Sequence, residues 1–265
     1  MKGHVGFAIL AGAAVFGLSG SAEAADTKGF GERSQLILSA DRLVAPFSYT
    51  SASSTTTGPN NIELTTSQSG AGMSLLLGRN VGIDESFMVN VHTIPRVAFD
   101  FTIIPQLTLG AAIAFGFGLG GTREQQTVTP GNVVVRSESD APTVTAIGLA
   151  PRVGYIIPLT SFVAFWPRAG FAFYSVSASS DDRDNNQVVG TRSVSTTYFS
   201  LDVDPQFVFV PTEHFFFHVG PLLNVPLSGT RSTEVTRGAQ TDTTSNDTSL
   251  FHFGISAGLG GWISL

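Results

Sequence analysis

The chain has 265 residues, a formal net charge of -6 and no cysteine. The lack of thiols excludes disulfides and thiolate metal centres, and the scattered basic residues argue against nucleic acid as a partner. Charged residues make up only 13% while Phe occurs 21 times, a balance that suits a protein with one face in lipid.

In chain order, Lys2 is followed by an apolar stretch over residues 5–18, and Ala22-Glu23-Ala24 forms an A-x-A site ahead of Ala25. This pattern predicts a cleaved secretory signal over 1–24. Nothing later approaches the roughly 18 consecutive apolar residues of a membrane helix. A first strand is predicted over residues 35–50. Its phase changes in the middle, with Leu36 and Leu38 on even positions and Leu43 to Tyr49 on odd ones, which predicts a β-bulge near Asp41 and leaves the facing of Asp41 and Arg42 open.

Three hairpins follow. Strands 96–103 and 107–119 flank Ile104-Pro105-Gln106, strands 145–157 and 162–177 flank 158–161, and strands 198–210 and 215–227 flank 211–214. Each turn carries a proline, which has no N–H to give to a ladder. A last strand is predicted over 250–265. The alternation is clearest in the second of these strands, where Leu107, Leu109, Ala111, Ile113, Phe115, Phe117 and Leu119 are apolar and every residue between them is small or polar. Such a run exceeds the 9–11 or so residues that a tilted strand needs to cross a bilayer.

One strand, three pairs and one strand give eight. Short turns at one end and long polar segments at the other (51–93, 120–140, 178–194, 228–249) predict an all-β fold. It is an antiparallel up-and-down transmembrane β-barrel, with residues 25–33 as a periplasmic lead-in, 34–265 as the barrel and both termini periplasmic. The run Met73-Ser74-Leu75-Leu76-Leu77 reads as a ninth strand, a hairpin extension above the membrane or a segment folded into the mouth. A ninth strand would need a tenth for closure, which makes ten the alternative count.

Aromatic residues on the lipid-facing parity gather at the strand ends. Phe47, Tyr49, Phe115, Phe117, Phe171, Phe173, Phe199, Phe251 and Phe253 lie near the long segments; Phe101, Tyr155, Phe165, Phe207, Phe209, Phe215 and Phe217 lie near the turns. Two aromatic bands around an apolar belt are what membrane interfaces select. The opposite parity collects Arg96, Asp100, Arg152, Arg168, Asp202 and Asp204, joined by Gln206, His218, Asn224 and His252. Arg152 and Arg168 are symmetric about a turn, so they need carboxylates between them, and Asp202 and Asp204 are the expected donors. Eight strands leave an interior just wide enough for side chains, so the charges are expected to form a plug rather than a selectivity filter.

No catalytic or metal site is predicted. His218 and His252 both point inward on the last two strands, but folding that hairpin about residue 238 puts His252 near Asn224, about six residues, or roughly 20 Å, above His218. A serine and a carboxylate within reach of His218 would be needed to revive a hydrolase reading. Residues 181–186 begin with calcium-loop spacing but lack the glycine at position six and a carboxylate at position twelve, Ser193. Gly116-Phe117-Gly118-Leu119-Gly120-Gly121 is followed by no helix and is not a dinucleotide loop. No cofactor is expected.

The strand pattern resembles the small eight-stranded outer-membrane barrels of Gram-negative bacteria, the OmpA/OmpX type without a periplasmic peptidoglycan-binding domain. The resemblance covers nearly all of the mature chain and rests on the architecture and on the last strand, with Phe253, Leu259, Ile263 and Leu265 on one parity. In that family the last strand carries the recognition signal for the barrel assembly machinery, usually ending in an aromatic where Leu265 stands here. The resemblance implies a monomer in contact with outer-membrane lipid and lipopolysaccharide. It implies a structural or surface-interacting role; a narrow channel or transporter for small or apolar solutes is the alternative, and a lipid-modifying enzyme the third.

Overall fold

Alternation makes the strands of this chain, and proline and left-handed turn residues make its joints. The computed structural model describes residues 29–57, 63–75, 91–118, 121–129, 133–141, 143–184 and 187–265, so the signal region lies outside the described residues. In order the elements are β1 (Gln35–Thr57), β2 (Glu63–Leu75), a 3-10 turn (Val91–Thr93), β3 (Arg96–Ile104), β4 (Leu107–Gly118), β5 (Gly121–Thr129) and β6 (Val133–Ala141). They continue with β7 (Thr143–Tyr155), β8 (Ile157–Pro158), β9 (Val163–Trp166), β10 (Arg168–Asp184), β11 (Gln187–Val203), β12 (Gln206–Thr212), β13 (Phe215–Arg237) and β14 (Gln240–Ser264).

The pairing closes a ring of 8 strands, β1-β3-β4-β7-β10-β11-β13-β14 and back to β1, antiparallel throughout. The short β8, β9 and β12 prolong three staves of the ring toward the short-turn end, beyond breaks at Ile156, Pro167 and Asp204-Pro205. Gln106 and His214 take the left-handed conformation in two of the short turns, at φ 73° and 65°. The expected bulge is present in β1, whose register against β14 jumps between Ala40 and Val44 and again before Phe47, with Arg42 at φ 60°. β1 advances four residues from Ala40 to Val44 while β14 advances two, and within this irregularity both Asp41 and Arg42 turn inward.

The segments expected as loops are largely β-hairpins. β2 is a hairpin extension that pairs with the upper half of β1 from Val44↔Leu75 to Thr57↔Glu63, while Leu76 and Leu77 lie outside the described residues. β5 and β6 pair with each other, and β10–β11 and β13–β14 run on as ladders to Asp184↔Gln187 and Arg237↔Gln240. Their Ser/Thr tracts carry no apolar alternation, yet ladder bonds need none. β-branched Thr suits a strand, and hydroxyls meet across it at Ser53–Ser249 (2.9 Å), Thr55–Thr65 (3.0 Å) and Thr236–Thr241 (3.2 Å).

The two faces are chemically opposite. Val97, Phe99, Phe101, Leu109, Phe115, Leu149, Phe171, Phe207 and Phe217 are exposed on the outside, as a transmembrane barrel in lipid requires. Phe253, Leu259, Ile263 and Leu265 lie in this outer, exposed set. Inside are two separate apolar clusters. One, at the short-turn end, contains Phe30, Ile37, Ile156, Trp166, Val208, Val210, Phe216 and Trp262. The other, toward the long hairpins, contains Val91, Ile94, Tyr174, Val176, Tyr198 and Leu250 with several alanines.

Candidate functional site

The lumen is the place where the sequence concentrates its chemistry, and it is filled in three layers. At the short-turn end, residues 29–34 fold into the barrel mouth. Gly29 and Gly31 adopt φ of 81° and 93°, which turns the chain so that Phe30 enters an aromatic cup. Its ring centroid lies 5.7 Å from Trp166, 5.1 Å from Phe216 and 5.2 Å from Trp262. Gly31 N donates to Gln35 Oε1 (2.9 Å), Gln106 N to Gly31 O (2.7 Å) and Leu265 N to Ser34 O (2.9 Å), tying this segment to the start of β1, the β3–β4 turn and the last residue of the chain. Phe30→Ala should cost about 3 kcal/mol, the low end for emptying a buried aromatic site, read as a lower midpoint of the heat-induced gel shift.

The middle layer is ionic. Every sequence-predicted member (Arg96, Asp100, Arg152, Arg168, Asp202, Asp204 and His218) is buried here, together with Asp41 and Arg42. Arg152 grips Asp100 with two nitrogens, Nε at 2.9 Å and Nη2 at 2.5 Å, and reaches Asp41 through Nη1 at 2.5 Å. Arg168 pairs with Asp204 at 2.6 Å and with Asp41 at 3.4 Å, and its guanidinium stacks 4.7 Å over Trp166. Arg96 holds Asp202 at 2.6 Å and Asp204 at 3.4 Å, and Arg42 holds Asp202 at 3.0 Å. Asn224 donates to Asp202 (2.9 Å), Gln206 donates to Asp204, and Ser39 donates to Asp41 (2.9 Å). A cavity of about 10 Å³ remains beside Arg96, Arg152 and Arg168, room for about one water.

The carboxylate between Arg152 and Arg168 is therefore Asp41, where the sequence points to Asp202 and Asp204. Asp204 does meet Arg168, but Asp202 serves Arg42 and Arg96 instead. The phase change at Asp41 is the signal in the sequence. Alternation alone does not say that a bulge sends two successive charged residues inward.

The third layer lies under the long hairpins. The segment 91–94 enters the lumen as a strap. Arg42 Nη1 donates to His92 O (2.7 Å) and to Tyr174 Oη (3.1 Å), the His92 ring stacks on His252 at 5.7 Å, and Tyr174 meets His92 edge-on at 5.4 Å. Val91 and Ile94 join the upper apolar cluster. The strap carries no strand signal, so nothing in the sequence separates it from a surface loop.

The histidines complete the chemical inventory. His218 Nε2 lies 3.1 Å from Asp41 Oδ1 and its Nδ1 3.0 Å from Gln206 Oε1. Ser39 bonds the carboxylate rather than the imidazole, so the order is serine–acid–histidine, in which no base faces a nucleophile. Ser200 is buried, and its hydroxyl makes no hydrogen bond among the described residues. His252 pairs in register with Asn224, as the fold about residue 238 predicts, and shares a 3.2 Å hydrogen bond with Thr50. Among the described residues no group of His and carboxylates is arranged to hold a metal ion.

No family model matches the chain, and no curated protein matches it in sequence. Among solved structures it is similar to the outer membrane protein OprG of Pseudomonas aeruginosa, at 10% identity over 91% of this chain and 100% of that one, with a TM-score of 0.46. It is similar to a major outer membrane protein of Thermus thermophilus, at 10% identity over 82% and 99% with a TM-score of 0.43. A third is the outer membrane protease OmpT of Escherichia coli, at 9% identity over 86% and 97% with a TM-score of 0.40. The ring of 8 strands itself rests on the pairing registers given above.

Proposed function

We propose that this chain is a non-enzymatic outer-membrane protein whose barrel is a closed anchor and whose long hairpins make its contacts outside the cell. The observation that carries this reading is the filled lumen: an aromatic layer around Phe30, an ionic layer around Asp41 and a strap layer around His92, one above another. The outward belt of Phe, Leu and Val supports contact with outer-membrane lipid and lipopolysaccharide. The outer row Phe253, Leu259, Ile263 and Leu265 on the last strand supports recognition by the assembly machinery. Short turns beside both chain ends and long hairpins opposite support periplasmic termini.

Purified protein in planar bilayers should give no steady single-channel current. Reproducible conductance steps would transfer the function to a narrow channel. Unheated protein should also run faster on SDS gels than boiled protein, because a closed barrel resists the detergent.

A further inference from the structure

Within the ionic layer the charges cancel, with Arg42, Arg96, Arg152 and Arg168 facing Asp41, Asp100, Asp202 and Asp204. Above the lumen they are sorted by face. The strands β2-β1-β14-β13-β11-β10 continue past the mouth as one sheet, and their registers carry the inner parity upward from the buried Tyr174, Tyr198 and Leu250. Among the described side chains, Arg192, Arg231 and Arg237 share the inner face with one acid, Asp242. Glu63, Asp181, Glu234 and Asp247 all fall on the outer face.

Arg231 differs from the lumen arginines. It pairs in register with Thr196 on one side and Asn246 on the other, and it forms no ion pair among the described residues. Asn246 Oδ1, directly across the ladder, is buried and makes no hydrogen bond among the described residues. From Arg231 to Arg237 the inner row rises roughly 20 Å. Thr233 lies on this row, with Thr244, Thr66 and Gln68 on neighbouring strands of the same face. Among the described residues this face carries no aromatic side chain above Tyr198, so it offers no stacking platform for bases. Guanidinium groups spaced along rows of hydroxyl and amide groups fit an extended ligand that is both polyhydroxylated and acidic.

We infer that the inner face of the extracellular sheet binds an acidic oligosaccharide, with Arg231 holding a carboxylate and the Thr, Asn and Gln rows taking sugar hydroxyls. The site rests on the surface-interaction reading only in that the closed lumen stops the ligand at the mouth.

The test is isothermal titration of the full protein in zwitterionic detergent with tetragalacturonate, using maltotetraose as the neutral control. Tetragalacturonate should bind, weaken steeply between roughly 50 and 500 mM salt as screening requires, and exceed maltotetraose at least about tenfold. Arg231→Ala should lose about tenfold in affinity, while outer-face Asp247→Ala keeps wild-type binding. Arg231→Gln, which keeps most of the side chain, should reproduce the loss if the alanine variant fails the gel-shift test of folding. Equal binding by the Arg231 variants, equal binding of maltotetraose, or no binding would overturn the site. Bilayer recordings on the same preparations test the lumen separately, so ligand binding together with steady current would keep the site and remove the closed barrel.

Discussion

Asp41→Ala is expected to lower stability by about 3–5 kcal/mol, the cost of breaking a buried ion pair from one side. Three guanidiniums converge on this carboxylate, Arg152 at 2.5 Å, Arg168 at 3.4 Å and Arg96 at 3.8 Å, and the His218 ring lies 3.1 Å away. Removing it leaves Arg152 and Arg168 facing each other beside a cavity with room for about one water. Asp100→Ala should cost less, about 1–3 kcal/mol, because Arg152 then keeps Asp41 as a partner. Urea unfolding in detergent micelles, followed by the gel shift between folded and unfolded forms, measures both. Equal losses for the two variants would remove Asp41 from the centre of the network.

The same arithmetic explains why the layer holds together at all. Burying a charge is costly unless it is paired and its remaining hydrogen-bond positions are filled. Here every guanidinium meets at least one carboxylate, and neutral donors from Ser39, Gln206 and Asn224 occupy further oxygens. A barrel that needed only filling could use apolar side chains, as the layers above and below do. The ionic layer separates those two clusters and fixes which side chain lies at which height, since each Arg bonds a different set of acids: Arg42 Asp202, Arg96 Asp202 and Asp204, Arg152 Asp100 and Asp41, and Arg168 Asp204 and Asp41.

Much of the architecture is legible in the residues because a barrel stave repeats every second position. Leu107 to Phe117 shows its lipid face directly, and the proline turns fix which strands are neighbours. Even the Asn224–His252 pairing follows from counting about one turn. Three features are not legible, each for a physical reason. The Ser/Thr hairpins have two polar faces, so no alternation reveals that the ladder continues. Phe30 enters the lumen from a segment with no strand pattern, where only the flanking Gly29 and Gly31 hint at a sharp turn. Asp41 and Arg42 sit at a bulge, where parity fails by one residue and the facing of every later side chain on β1 depends on where the shift occurs.

Glycine placement gives a second strong prediction. The large inward rings lie flat against glycines on neighbouring strands: an added Cβ at Gly148 would come 2.5 Å from Tyr174 Cε1, at Gly154 2.5 Å from Trp166 Nε1, and at Gly260 2.5 Å from Phe216 Cζ. Gly258 likewise faces the His218 ring, but its Cβ would also strike the Ala40 carbonyl, as a Cβ at Gly260 would strike the Leu38 carbonyl. The two kinds of site separate cleanly in double mutants. Gly148→Ala meets only side chains, the Tyr174 ring and the Ala114 methyl, so it should cost about 1–3 kcal/mol alone. Combining it with Tyr174→Leu should recover most of that loss relative to Tyr174→Leu by itself. Gly258→Ala should cost at least as much and should not be recovered by His218→Ala, because the carbonyl cannot be trimmed. Recovery at both sites would mean that ring packing alone sets the glycine pattern. Recovery at neither would place the constraint in the backbone at Gly148 as well, and the ring-on-glycine account of the narrow lumen would fail.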